Sequence, residues 1–256
     1  METSYRYEKL SDTLQVCVSP AHRFGTDAFL LASFASPRAK DQVCDLGTGC
    51  GIIPLAMLKN APPAHIVGVE LQEQAFHQLQ LSIAASDCSD RVAAIHADLC
   101  RIAAGDRFPD LPQHGFDLVT CNPPYKKAAS GILSGQTADQ LARHEVACTI
   151  EDVCAAADRL LRYGGRLCIC QRPERLCDVI TAMKSRQIEP KRLRFVAKDA
   201  ASPPWLFLLE GRKGGKPFLK VDPLLLIQGE NGFSEELLKI YGFGQNLPKQ
   251  RPARHP

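Results

Sequence analysis

Residues 45–51 read Asp45-Leu46-Gly47-Thr48-Gly49-Cys50-Gly51, and this turn decides the fold. Ahead of it QVCDL, residues 42–46, is an apolar run of strand length, and behind it residues 52–60 have the length and spacing of a helix. Glycine allows backbone angles and close approaches that a side chain forbids. At the carboxyl edge of a first strand, such a loop makes the floor of a nucleotide or nucleoside pocket. The dinucleotide fingerprint wants its third glycine at the sixth place, where this chain has Ile52; the glycine stands at the fifth. GxGxG therefore departs from the nicotinamide pattern and argues against an oxidoreductase of that type. Glu70 ends the next strand, HIVGVE, and Asp98 ends the one after it, beyond VAAIHA. A carboxylate at the first of these positions accepts hydrogen bonds from ribose hydroxyls, which suits either kind of cofactor.

Further out, strand-length and helix-length runs alternate. Strands are expected at 42–46, 65–70, 92–97, 116–121 and 166–171, and helices at 52–60, 73–85, 150–162 and 174–186. Thr149 with Glu151 and Asp152 suits a helix start, and Gly164-Gly165 suits that helix's end. This alternation implies an α/β fold with a parallel sheet and helices on both faces. LRFVA (193–197) and WLFLL (205–209) are joined by KDAASPP, too short for a crossover helix, so a terminal antiparallel hairpin is expected. Residues 1–20 read as a further hairpin, 211–220 (GRKGGKPFLK) as a basic flexible loop and 245–256 as a flexible basic tail. The expected organisation is one domain over 1–244: an N-terminal hairpin and helix over 1–40, a core over 41–212 and an extension over 213–244.

Asn122-Pro123-Pro124-Tyr125 directly follows the fourth strand. The Asn122 side-chain oxygen and the Pro123 carbonyl can each accept a hydrogen bond. The two prolines hold the chain extended and remove competing N–H donors. Tyr125 offers a flat face for stacking. These features suit a planar –NH2 group, whose lone pair is delocalised and poorly nucleophilic. Accepting hydrogen bonds from both N–H groups concentrates density on nitrogen, and positioning with electrostatics supplies the catalysis.

The glycine turn resembles motif I of S-adenosylmethionine-dependent methyltransferases, and together with NPPY it resembles the amino-methyltransferases of adenine, cytosine, guanine or glutamine amides. Other segments narrow the resemblance: FGTDA (24–28) before a helical LLASF, ARHE (142–145), QRPERL (171–176), IEPKR (188–192), GRKGGKPFLKVDPLLLI (211–227) and NGFSEELLKIYG (231–242). Over roughly residues 4–243 the chain is similar to the bacterial tRNA1(Val) (adenine-37-N6)-methyltransferase family. The resemblance implies a Rossmann-like class I methyltransferase fold, a seven-stranded mostly parallel sheet with a terminal antiparallel hairpin, and S-adenosyl-L-methionine as cofactor.

It also implies residue roles. Gly47, Gly49 and Gly51 would line the methionine part of the cofactor together with Asp45, while Phe24 to Asp27, Phe24 and Thr26 in particular, would cover that end. Glu70 with Leu71 would take the ribose side, and Asp98 with Leu99 the adenine. Asn122, Pro123, Pro124 and Tyr125 would clamp the acceptor amine, with Asn122 also bordering the cofactor. Tyr125, Lys126, Arg143, His144 and Lys213 would meet the RNA, with Lys127, Arg212 and Lys216 as further phosphate candidates. A catalytic base is not required.

Composition constrains the partners. The chain of 256 residues has a net charge of only +3, but residues 184–220 hold ten basic against three acidic residues. Local positive charge of this kind attracts phosphates. The expected partner is tRNA, with no metal; oligomeric state is not legible. No apolar run reaches membrane-spanning length and METSYRYEKL lacks the apolar centre of a secretory signal, so a cytoplasmic location is expected. The 11 cysteines contain no CxxC pair and read as small buried hydrophobes in a reducing compartment. The alternative function is glutamine N5-methylation of the release-factor type, because a side-chain amide is also a planar –NH2. Those enzymes usually carry a helical domain before motif I, and here only 44 residues precede Asp45. A cofactor-binding protein with a dead site is disfavoured by the intact glycines and clamp.

Overall fold

The computed structural model describes residues 4–123, 148–230 and 232–242. A hairpin of β1 (Arg6–Lys9) and β2 (Gln15–Val18) leads into α1 (Thr26–Ala35). The chain then alternates through β3 (Gln42–Leu46), α2 (Ile52–Asn60), β4 (His65–Glu70), α3 (Glu73–Ala85), β5 (Val92–His96), α4 (Leu99–Ala104) and β6 (Phe116–Cys121). After the acceptor segment come α5 (Ile150–Leu160), β7 (Leu161–Gln171), α6 (Leu176–Ser185), β8 (Ile188–Ala197) and β9 (Pro204–Lys213).

The sheet order is β5-β4-β3-β6-β7-β9-β8, parallel from β5 to β7, with β9 antiparallel to both neighbours. The expected seven strands and closing hairpin are therefore present. Two short strands, β10 (Lys220–Val221) and β11 (Leu225–Leu226), add to the outer edge of β8 and make the sheet nine-stranded. Two-residue pairings leave too little periodicity to read along the chain.

The central strands are buried on both faces, as a parallel sheet covered by helices requires. Alternate residues of one strand serve opposite cores. Val43, Leu118, Cys168 and Cys170 pack with Leu31, Ile53 and Leu79 of α1–α3. Cys44, Leu46, Val119, Leu167 and Ile169 pack with Ile102, Val153, Leu160 and Val179 of α4–α6.

The N-terminal hairpin is tied to α3 by a polar stripe. Gln78 and Ser82 are fully buried in that helix. Gln78 Nε2 donates to Cys17 O at 3.0 Å, Ser82 Oγ accepts from Cys17 N at 2.9 Å, and Ser86 Oγ accepts from Gln15 N at 3.0 Å. These side chains, spaced four apart on one helix face, satisfy the β2 backbone groups that have no strand beside them.

Several boundaries differ from the sequence reading. The helix after Thr149 ends at Leu160, and Gly164-Gly165 belong to β7 instead of capping it. The register of β6 against β7 shifts between Phe116 and Leu118, and a Cβ on Gly165 would stand 2.9 Å from Arg162 O. The glycines admit this irregularity. The short α4, capped by Asp98 and stopped by Gly105 at φ +111, was not foreseen, nor was α7 (Glu235–Ile240) in the C-terminal extension. The supposed loop 211–220 opens with three residues of β9 and closes on β10. Helix α6 starts at Leu176, after a 3₁₀ turn over Pro173–Arg175.

Candidate active site

The parallel strands end together on one side of the sheet, and the glycine loop, Glu70, Asp98 and Asn122 gather there. Gly47 and Thr48 hang from Val69 by two backbone hydrogen bonds to its carbonyl, 2.9 and 3.0 Å. Glu70, buried, accepts from Gly49 N at 2.9 Å with Oε2 and from Gln72 N at 2.7 Å with Oε1. Each oxygen keeps a further lone pair for a ligand. The three loop glycines have positive φ but different jobs. A Cβ on Gly47 or Gly49 would meet nothing within 4 Å, so both border open space. A Cβ on Gly51 would lie 2.5 Å from Leu79 Cδ1, so that glycine brings the loop onto α3.

Asp45 is fully buried at the end of β3, where its Oδ1 accepts from Thr120 Oγ1 at 2.6 Å. Burial pushes its carboxyl up to about 7, against the opposing effect of the Thr120 hydrogen bond. Its Oδ2 and the Thr48 hydroxyl are buried with no hydrogen-bond partner among the described residues. Asp98, half-buried, uses Oδ1 to cap α4 through Cys100 N at 2.7 Å. Leu71 is exposed beside Glu70, and Leu99 is partly buried against the α4 core. Cys100, Cys148 and Asp152 bring their ligand atoms within 4.8 Å of one another close by, a grouping that spacing along the chain did not signal.

Asn122 stands just past the end of β6. Its Nδ2 donates to Asp27 Oδ2 at 3.1 Å, and its Oδ1 accepts from the buried Cys170 thiol at 3.0 Å. Pro123 is partly buried next to it. Thr26 and Phe24 pack at the start of α1: Thr26 Oγ1 lies 2.8 Å from the Tyr241 hydroxyl, and the Phe24 ring is edge-on to Phe29 at 5.8 Å. Pro124, Tyr125, Lys126, Lys127, Arg143, His144 and Glu145 lie outside the described residues.

Lys213 is not brought to this end. It closes β9 opposite Ile188, while Gln171 and Cys170 at the other end of β7 flank the Asn122 side. Its ammonium bonds to Asp158 and to the Leu161 carbonyl, and with Tyr163, Arg212 and Lys216 it lines a hollow of about 370 Å³ at the far edge of the sheet. What the sequence did not signal was the pairing of Asn122 with Asp27, read there only as part of the segment covering the cofactor, and with Cys170, read as a core cysteine. Asp27 lies 95 positions from it and Cys170 lies 48 positions from it, distances along the chain that carry no periodic signal.

Of the 11 cysteines, eight are buried and all are free, which agrees with small core residues; Cys177 is exposed. Among the described residues no helix is long and apolar enough to cross a membrane.

The family described as the methyltransferase small domain matches residues 22–186, from the segment before α1 to the end of α6. The chain belongs to that family. Among relatives in this family, a tRNA1(Val) (adenine(37)-N6)-methyltransferase from Porphyromonas gingivalis strain W83 is 28% identical over 229 residues, covering 86% of this chain and 87% of that protein. A protein of the same description from Histophilus somni is 32% identical over 148 residues, 57% of this chain and 59% of its own length. Solved methyltransferase structures share the fold. A predicted O-methyltransferase from Agrobacterium tumefaciens superposes with a TM-score of 0.66 at 22% identity, covering 84% of this chain and 95% of its own. The TYW2 protein of M. jannaschii, solved with AdoMet, gives a TM-score of 0.54 at 12% identity over 83% of this chain and 87% of its own.

Proposed function

We propose that this chain is an S-adenosylmethionine-dependent methyltransferase acting on the exocyclic N6 of an adenine in tRNA, at position 37 as in the names of its relatives. The observation that carries the reading is Asn122 of the NPPY tetrad, held at the carboxyl edge of the sheet beside a glycine loop open above Gly47 and Gly49. The chemistry of the pocket fits that cofactor. Open space over two glycines admits a ligand close to the backbone. The remaining lone pairs of Glu70 suit ribose hydroxyls.

When bound, S-adenosylmethionine supplies a methyl group on a positively charged sulfur. The protein's residues do the rest. Asn122 Oδ1 and the Pro123 carbonyl accept from the two N–H groups of the amine and so direct its lone pair away from them. Tyr125 stacks on the base, which must be turned out of the anticodon loop to reach the clamp. Lys126, Arg143 and His144 supply groups for RNA contact. The attached proton leaves to water, without a dedicated base. The working unit is a single domain over 1–244 with a basic tail over 245–256, and its location is cytoplasmic.

The test is incubation of the purified protein with labelled S-adenosylmethionine, total tRNA and total protein from a strain lacking the gene, followed by nucleoside digestion and mass spectrometry. N6-methyladenosine in tRNA is the expected product. Label in protein with none in RNA makes glutamine methylation the answer.

A further inference from the structure

We infer that Asp27 is a positioning residue that fixes the orientation of the Asn122 amide, an inference that rests on the amine-methylation reading above. The two ends of an asparagine amide have nearly the same shape and opposite hydrogen-bonding character. A clamp that needs the oxygen toward the substrate must therefore hold the nitrogen elsewhere. Asp27 does this. Its carboxylate only accepts, and Oδ2 takes the hydrogen bond from Asn122 Nδ2 at 3.1 Å. The Cys170 thiol, buried in β7, donates to Asn122 Oδ1 at 3.0 Å and selects the same orientation independently.

Asp27 is itself fixed. Its Oδ1 accepts from Ala28 N at 3.1 Å in the first turn of α1. Its neighbour Thr26 is bonded to Tyr241. A Cβ on Gly25 would stand 2.6 Å from Asp27 Oδ1, so any side chain there displaces the carboxylate. The charge of Asp27 also matters. A carboxylate bonded to the N–H side of an amide polarises it and strengthens its oxygen as an acceptor. That oxygen faces a nitrogen that becomes positive during methyl transfer.

The test uses the full chain with S-adenosylmethionine and tRNA, comparing D27A, D27N, N122A and the double variant D27A/N122A. D27A is expected to lower kcat about 30-fold with both KM values within about 3-fold. D27N still presents an oxygen to Asn122 Nδ2 and is expected to stay within about 5-fold of the parent. In the N122A background, removing Asp27 is expected to cost nothing more, because its effect passes through Asn122. Multiplying losses in the double variant, or a D27A effect confined to the KM for S-adenosylmethionine, overturns the inference. D27S replaces D27A if that variant does not fold.

A second reading is independent of the acceptor: the ¹H–¹⁵N side-chain amide resonances of Asn122, identified by their loss in N122A. They are expected to move in D27A and largely to hold in D27N. Unmoved resonances in D27A overturn the inference whatever the enzyme methylates. An absence of tRNA methylation by the parent protein overturns the proposed function while leaving this measurement to decide on Asp27.

Discussion

Thr26 Oγ1 and the Tyr241 hydroxyl lie 2.8 Å apart, joining the first turn of α1 to a residue 215 positions later. The contact is one of a set that fastens the C-terminal extension to the site. The Tyr241 ring is edge-on to Phe29 at 4.9 Å, and its carbonyl accepts from Lys59 Nζ at 2.6 Å. Asn60 Nδ2 donates to Ile240 O at 3.0 Å, and Arg194 grips Glu236 with two bonds of 2.6 and 2.8 Å. The extension thus braces the helix start that carries Asp27.

Tyr241→Phe removes the hydroxyl alone and is expected to cost about 1 kcal/mol. Tyr241→Ala also removes the ring packed on Phe29 and is expected to cost about 3 kcal/mol. Urea unfolding checks both. Equal losses in the two variants would show that the ring contributes nothing.

The loop glycines are expected to separate binding from folding. Gly47 and Gly49 have φ of +67 and +59 and open space where a Cβ would go. Alanine there costs about 1 kcal/mol of backbone strain but is expected to weaken S-adenosylmethionine binding by more than about 10-fold. Gly51→Ala drives a methyl into Leu79 and is expected to lose about 2 kcal/mol of stability. Calorimetric titration and thermal melts on the three variants provide the comparison.

Asp45 sets a pH dependence of stability. The unfolded chain ionises this carboxyl near 3.8, and the folded chain holds its proton up to about 7. Between those values the folded state carries the extra proton, so stability falls as pH rises from 4 to 7 and levels off above, by up to about 4 kcal/mol. Asp45→Asn is neutral in both states and still accepts from Thr120. It is expected to flatten the curve and to be the more stable protein at pH 8. Parallel unfolding curves for both proteins from pH 4.5 to 8 would refute this.

Arg166 binds two acids with little solvent around it, Asp41 at 3.3 Å and Glu210 at 3.1 Å, and donates to Ala35 O at 2.9 Å at the end of α1. Arg166→Met takes the arginine from both carboxylates, leaving Glu210 to Arg192 at 3.5 Å and Asp41 to the Arg38 N–H at 3.0 Å, and is expected to cost about 3 kcal/mol. Denaturant unfolding of the variant measures it, and a change below about 1 kcal/mol would place the network among ordinary surface pairs.

Much of this protein was legible in one dimension. The parallel core follows from local pattern, because apolar runs of strand length and helical periods alternate with short turns that leave few other topologies. The glycine loop and Asn122-Pro123 stand at the strand ends where the sequence placed them for the same reason, because each directly follows a strand with a clear apolar pattern. Glu70 and Asp98 were placed by counting strands. Gly164-Gly165 misled because glycine serves a helix cap and a strand irregularity equally well, and only the pairing of Phe116 with Leu161 distinguishes them. The short edge strands and α7 have too few residues for a period.

Tertiary structure alone decided which groups meet. Asp27 and Cys170 reach Asn122 from α1 and β7 because strand order places those elements beside β6. It also carried Lys213, promising as a basic residue on a glycine-rich segment, to the opposite edge of the sheet. A residue's type and spacing limit what it can do chemically. The end of the sheet on which it finishes is set by the direction and length of its strand, and the continuation of β9 from Leu209 to Lys213 comes from long-range pairing with β7 and β8 that the glycine-rich local sequence does not encode.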